Sequence, residues 1–278
     1  MRWAYDEPRD PNEEGEEHFA AVMRSGTSRL LNLKAAHLKR RVLRGDLVSA
    51  FLHIFAKKKF STRFPKGHPE EYDAEGLRQA LLWGKLLYGK GTASRGLWHD
   101  SAATLIAVGF EQHSGVDQCL FVHRESGIDF GLYVGDCEMS GTEKDLAWLQ
   151  AQLEKRYEVK WLVYNSKNCA ESSEKSKIFV GIRTEIDHSN QTVTQDQEQL
   201  IRKAAARYKW DGVPRYSPPV SDGPFPELAH GAKIDPIFHQ RYRSKVGFVA
   251  HVAVKTRFDI NHHAVKFSQA AERPGASV

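Results

Sequence analysis

The chain predicts an α+β fold, and three observations lead there. Segments with helical apolar spacing alternate with short apolar runs of strand period. The strand runs come in pairs joined by tight turns, which makes the pairs antiparallel, and a sheet with one apolar face needs helices packed over it. The composition, 278 residues at 41% hydrophobic and 27% charged, is that of an ordinary globular chain with length for about two domains.

Element by element, residues 1–22 are acidic and polar and predict a flexible arm. Leu30–Leu38 has helical spacing. Arg41–Leu47 reads as a short strand that delivers Asp46 at its end. Residues 57–69, KKKFSTRFPKGHP, read as a basic loop or edge strand in which Lys59, Arg63 and Lys66 face phosphate. Leu77–Leu87 predicts a helix, and Leu97–Val108 predicts another that Gly109 stops. Cys119–His123 and Ile128–Val134 are strand-like, and Gly135–Asp136 is expected to form a tight turn before Cys137–Ser140 returns. Thr142 with Asp145 three residues on resembles a capping box for a helix carrying Leu146, Leu149, Leu153 and Tyr157. A polar loop over 164–177, a hairpin from Ile178–Ile186 through Thr192–Thr194, and a helix over Asp196–Tyr208 follow. Pro214–Pro226 reads as a linker, and Pro236–Ala271 has helix-like spacing.

The net charge of +5 is local. Arg24–Arg63 holds eleven Lys and Arg against Asp46 alone, a segment of +10 in a chain whose remainder is −5. Such a field concentrates polyanions, which points to nucleic acid, with an anionic membrane or an acidic protein as rivals. A carboxylate kept inside that field calls for a reason. Asp46 at one strand end and Asp136 at a hairpin tip would hold a divalent cation if their strands are neighbours. Cys119, Cys137 and Cys169 form no close pair, and apolar flanks give Cys119 and Cys137 packing roles. His262 and His263 are adjacent and suit surface or packing roles better than one metal. With no secretory signal and no long apolar run, the expected location is intracellular, cytoplasmic or nuclear, with no membrane partner.

Taken in order, the segments resemble the reverse transcriptase of copia-type retrotransposons over roughly residues 41–271. GDLVSAFLH at 45–53 resembles that family's first catalytic motif, and KLLYGKGTASRGLWHD at 85–100 its leucine-tyrosine-glycine motif. GFEQHSGVDQCLFVH at 109–123 resembles the approach to the catalytic hairpin, and YVGD at 133–136 the hairpin itself. Phe179–Gly181 with Gln195, and YRSKVGFVAHVAVKTRFDI at 242–260, match segments after the palm.

The resemblance implies a right-hand polymerase palm, a ferredoxin-like antiparallel sheet with packed helices, with truncated fingers and a partial thumb or connection. The implied division is an acidic arm at 1–22, fingers remnant and palm at 23–210, a Pro-rich linker at 211–232 and a partial thumb/connection at 233–278. It also implies Mg2+ bound by three carboxylates for RNA-directed DNA synthesis on RNA or an RNA–DNA hybrid with dNTP. Asp46 matches the first carboxylate and Asp136 the last, while Gly135 stands where the remaining one belongs, so metal binding is impaired and activity is expected to be lost. Phe51 and Tyr133 would meet the nucleotide. Lys57, Lys58, Lys59, Arg63 and Lys66 are the candidate nucleic-acid contacts, at positions where the family carries acidic and mixed residues. The segment after Gly89 departs from the family pattern, with Thr92 nearest to its glutamine. Missing fingers or ribonuclease H segments would belong to the parent polyprotein. The alternatives are a non-catalytic RNA or hybrid-duplex binding module and a relic product without function.

Overall fold

The computed structural model describes residues 19–64, 66–164, 178–210 and 235–272. The acidic arm up to residue 18, most of the 164–177 loop and the Pro-rich linker lie outside them. Within the described residues the fold is mixed α+β, with antiparallel sheets and packed helices, and the chain divides into two compact units. The first is Met1–Ser176 with Ile186–Val193, and the second is Lys177–Glu185 with Thr194–Val278.

The first unit is built on helix α1 (Ser25–His37), strand β1 (Arg41–Leu47), a 3-10 turn at Ala50–His53, strands β2 (Phe55–Arg63) and β3 (Ala80–Lys85), and helix α2 (Ala93–Ala107). Strands β4 (Glu111–Gln112), β5 (Leu120–His123), β6 (Ile128–Tyr133) and β7 (Asp136–Gly141), helix α3 (Glu143–Glu154) and strand β8 (Val159–Tyr164) complete it. Six strands pair in the order β4-β5-β6-β7-β1-β8. Every neighbouring pair is antiparallel, so β1 and β6 run the same way on either side of β7, and β7 and β8 run the same way on either side of β1. Helix α2 lies in the connection from β1 to β6, and α3 in the connection from β7 to β8.

Strand alternation gives the central strands two different faces. One carries Leu43, Leu47, Phe130, Leu132, Cys137 and Met139, all buried. Leu47 clusters there with Ala93 and Leu97 of α2, and Leu146 of α3 lies against Gly141. Each Leu or Phe so buried contributes about 1.5–3 kcal/mol. The opposite face is polar and lies under α1. Ser28 Oγ donates to Glu138 Oε2 at 2.6 Å, Asn32 Nδ2 donates to the same oxygen at 3.2 Å, and Lys34 pairs with Asp129 at 2.7 Å. The segment leading into α1 approaches so closely that a Cβ on Gly131 would fall on the Met23 sulfur. Leu31, Ala35 and Ala36 pack with Val42 and Ile186 farther along.

Local chemistry explains the element ends. Thr142 accepts from the Asp145 amide at 3.3 Å, as the capping box predicts, and α2 ends where Gly109 takes φ +96°. The helix expected over Leu77–Leu87 is instead β3, antiparallel to β2, with Trp83 Nε1 donating to Thr62 at 2.8 Å. A short apolar run fits either period, and an available partner strand decides between them. The tight turn is at Val134–Gly135 rather than Gly135–Asp136, because Tyr133 pairs with Asp136 and draws Asp136 into β7. Val134, not the glycine, takes the positive φ, +54°.

Next in the chain, β9 (Ile178–Phe179) and β10 (Ile182–Asp187) split the single strand expected there around a turn at Val180–Gly181, and β11 (Thr192–Asp196) follows; the Ile186–Val193 stretch of this hairpin belongs to the first unit and the remainder to the second. Helix α4 is Glu198–Tyr208 and α5 is Pro236–Lys255, the latter capped by Asp235, whose carboxylate accepts from the Ile237 amide at 3.0 Å. A 3-10 turn at Phe258–Ile260 leads into α6 (Asn261–Gln269). Tyr242, Val246 and Ala270 form the α5–α6 core, closed by a 2.9 Å hydrogen bond from Tyr242 to the Phe267 carbonyl. His262 and His263 meet edge-on at 5.7 Å. Among the described residues no helix is long and apolar enough to cross a membrane.

Candidate functional site

Asp46 is the penultimate residue of β1 and Asp136 is the first of β7. The β1–β7 register sets them directly opposite one another. Residues so paired have Cβ atoms about 4.5–5.5 Å apart on one face. The same pleat row continues both ways, with Tyr133 opposite Asp136 on β6 and Lys160 opposite Asp46 on β8. The full row is therefore Tyr133, Asp136, Asp46, Lys160, at the end of the polar face. Asp46 is exposed and Asp136 half-buried. Burial, and then the facing Asp46 carboxylate, push the Asp136 pKa above its ordinary value near 3.8.

The next row inward is Glu138 and Arg44, whose side chains are almost wholly buried. Arg44 Nε and Nη2 both donate to Glu138 Oε1, at 2.9 and 2.7 Å, while Ser28 and Asn32 of α1 fill the other carboxylate oxygen. This pair was missed in the sequence, although a signal existed. Arg44 is two residues before Asp46 and Glu138 two after Asp136, so strand parity alone puts all four on one face. Asp117 was missed as well. Its carboxylate accepts from the Arg24 amide at 2.8 Å, Thr27 Oγ1 at 2.6 Å and the Cys119 amide at 2.9 Å, which ties the start of α1 to the strand region. Lys160 has no local signal, because only the β1–β8 register brings it to the row.

Gly135 lies at the hairpin tip. Its carbonyl accepts from the Leu47 amide at 2.8 Å, and a Cβ on it would meet only Ala50 Cβ, at 3.5 Å, an ordinary contact. The backbone therefore has room for a side chain there. Phe51 is 5% exposed, packed edge-on against Tyr88 at 4.6 Å in the cluster of Leu47, Ala50, Ile54, Leu86 and Leu97. Tyr133 is half-buried beside the acidic pair. Lys57, Lys58, Lys59 and Arg63 are exposed on β2, and Lys66 is exposed beyond it, on a ribbon separate from the six-stranded sheet.

The donor set limits the metal chemistry. Among the described residues no three His, Cys, Asp or Glu side chains converge as a metal site. Two carboxylates with solvent fit a single hard cation such as Mg2+, which takes one or two carboxylates and keeps its waters. They do not fit a two-ion arrangement that needs a third carboxylate. Cys119 and Cys137 are buried free thiols, with burial pushing Cys119 up to about 12 and Cys137 also upward, so neither is a thiolate ligand at neutral pH. No protein-family model matches the chain, and no curated protein matches it.

Proposed function

We propose that the chain is a fragment of a copia-type RNA-directed DNA polymerase whose palm retains two of three catalytic carboxylates and has lost nucleotidyl transfer. The observation that carries this reading is the register that sets Asp46 against Asp136 at the end of the polar sheet face, with Gly135 beside them. The strand order β8-β1-β7-β6, crossed by α2 and α3, is that of a split βαβ ferredoxin-like sheet, the topology the resemblance implies, and supports the same reading.

In this reading Asp46 and Asp136 are the residues that would hold one Mg2+ through hard oxygen ligands. Such an ion, when bound, would supply charge neutralisation for an anionic ligand at these two carboxylates. Asp136, half-buried and facing another carboxylate, is the member that cation binding relieves most. Tyr133 flanks the pair, and Lys160 offers a fixed positive charge on its far side. Phe51 acts by holding the turn after β1 in place through its buried ring.

Two measurements test the proposal. Purified chain with poly-rA template, oligo-dT primer and Mg2+ should give no extension, and robust extension abolished by Asp46→Asn would overturn the loss of activity. Gly135→Asp has room at its Cβ and should increase the Mg2+-induced rise in melting temperature over that of the native chain. An unchanged Mg2+ response in that variant, with its fold intact by circular dichroism, would reject the carboxylate pair as the remains of a metal site.

A further inference from the structure

Strands β2 and β3 form a ribbon whose surface the carboxylate site does not use. Lys57, Lys58, Lys59 and Arg63 on β2 and Lys85 on β3 are all exposed, and neither strand carries an acid. Among the described residues no ion pair holds the four cations of β2.

The three consecutive lysines are all exposed where the ladder loses its regular register. Phe55 faces Lys85 and Phe60 faces Trp83, so Ala56–Lys59 occupy the span that β3 covers with Gly84 alone. Such a bulge breaks the ladder and turns side chains out of it. Opposite, a Cβ on Gly84 would meet nothing within 4 Å, which leaves the ribbon backbone open to close approach.

Exposed apolar groups accompany the charge. Phe55 is 73% and Leu82 67% exposed, and Lys85 Nζ lies 5.5 Å from the centre of the Phe55 ring. Cations interleaved with an exposed ring suit a single nucleic-acid strand, whose phosphates need a positive track and whose unstacked bases need an aromatic face. A ribbon inserted in a duplex groove would meet phosphates on both sides, whereas four of these five cations belong to one strand. A duplex would also leave Phe55 no free base to stack upon.

We propose that the β2–β3 ribbon binds single-stranded nucleic acid, with phosphates along Lys57–Lys59 and Arg63 and a base on Phe55. The site goes beyond the carboxylate pair and needs no metal, so it is measured in EDTA, where the palm reading makes no contribution.

The experiment is fluorescence anisotropy of the full chain with an oligo(rU) of about 20 nucleotides, titrated between about 50 and 200 mM salt. K57Q/K58Q/K59Q is compared with K39Q/K144Q/K203Q, which removes the same charge from exposed positions elsewhere. At about 0.7 per phosphate contact, the ribbon variant should lower the slope of log affinity against log salt by about 2 and weaken binding at least about tenfold, while the control keeps both. Phe55→Ala should weaken binding at an unchanged slope. Equal slopes for the two triple variants would overturn the proposal. So would tighter binding to a duplex than to the single strand, or binding of phosphatidylserine vesicles but not the oligonucleotide through the three lysines. The Gly135→Asp measurement is unaffected by any of these outcomes.

Discussion

Asp136 is more stable protonated than an ordinary aspartate, since burial and the facing Asp46 carboxylate both oppose its charge. A pKa raised on folding gives stability that is fully present below the unfolded value and is lost as pH rises through the folded value. At neutral pH the charged Asp136 therefore opposes folding. Asp136→Asn should raise the melting temperature at pH 7, with the gain shrinking as pH falls through the raised folded-state pKa and the native carboxyl takes up its proton. A gain independent of pH would place its origin elsewhere. Two residues away the surroundings differ, because the Glu138 carboxylate sits in a filled socket of Arg44, Ser28 and Asn32. Glu138→Ala takes the facing carboxylate from the buried Arg44 and should cost about 3–5 kcal/mol in chemical denaturation. Arg44→Met with Glu138→Leu removes both charges and should cost much less. Parity made these positions readable in the sequence once the strands were recognised, but whether a pair is a buried bridge or an exposed repulsion depends on what covers it.

Among the elements, those with strong local chemistry were legible. The α3 cap is one, and Thr142→Ala should cost about 1 kcal/mol, measured by thermal or urea unfolding. The Gly109 stop of α2 and the strand delivering Asp46 are others. Leu77–Leu87 was misread because ALLWGKLL has no decisive period, and β2 pairing supplied what the run itself lacks. The hairpin tip was displaced by one residue for a similar reason. Gly-Asp is a good turn dipeptide, yet the Tyr133–Asp136 pairing places the two-residue connection at Val134–Gly135. A β-branched residue at positive φ is strained, and such strain, about 1–3 kcal/mol, persists only where surrounding structure over-determines it. Here the Gly135 carbonyl is held by the Leu47 amide and Val134 packs on the Phe51 cluster.

For the whole molecule, the first unit has its own apolar face under α2 and α3 and its own polar face under α1, which are the requirements of an independently folding layer structure. A chain ended after Asp196 should therefore keep a cooperative thermal transition and native-like circular dichroism. Loss of cooperativity in that fragment would show that the six-stranded sheet depends on residues beyond it. Deleting residues 1–37 from the fragment should abolish the transition, since Arg44, Glu138 and Asp129 would lose the helix that closes over them.

By itself the sequence determined the α+β class and the local charge excess around Asp46, because composition, period and turn chemistry are properties of neighbouring residues. Only the tertiary structure decided that Asp46 and Asp136 share a row, that Lys160 joins it, and that Arg44 and Glu138 lie buried beneath α1. It also decided that the three exposed lysines fall where the β2–β3 register shifts. Those placements depend on register between strands distant in the chain, and register is set by the packing of whole faces rather than by any local run.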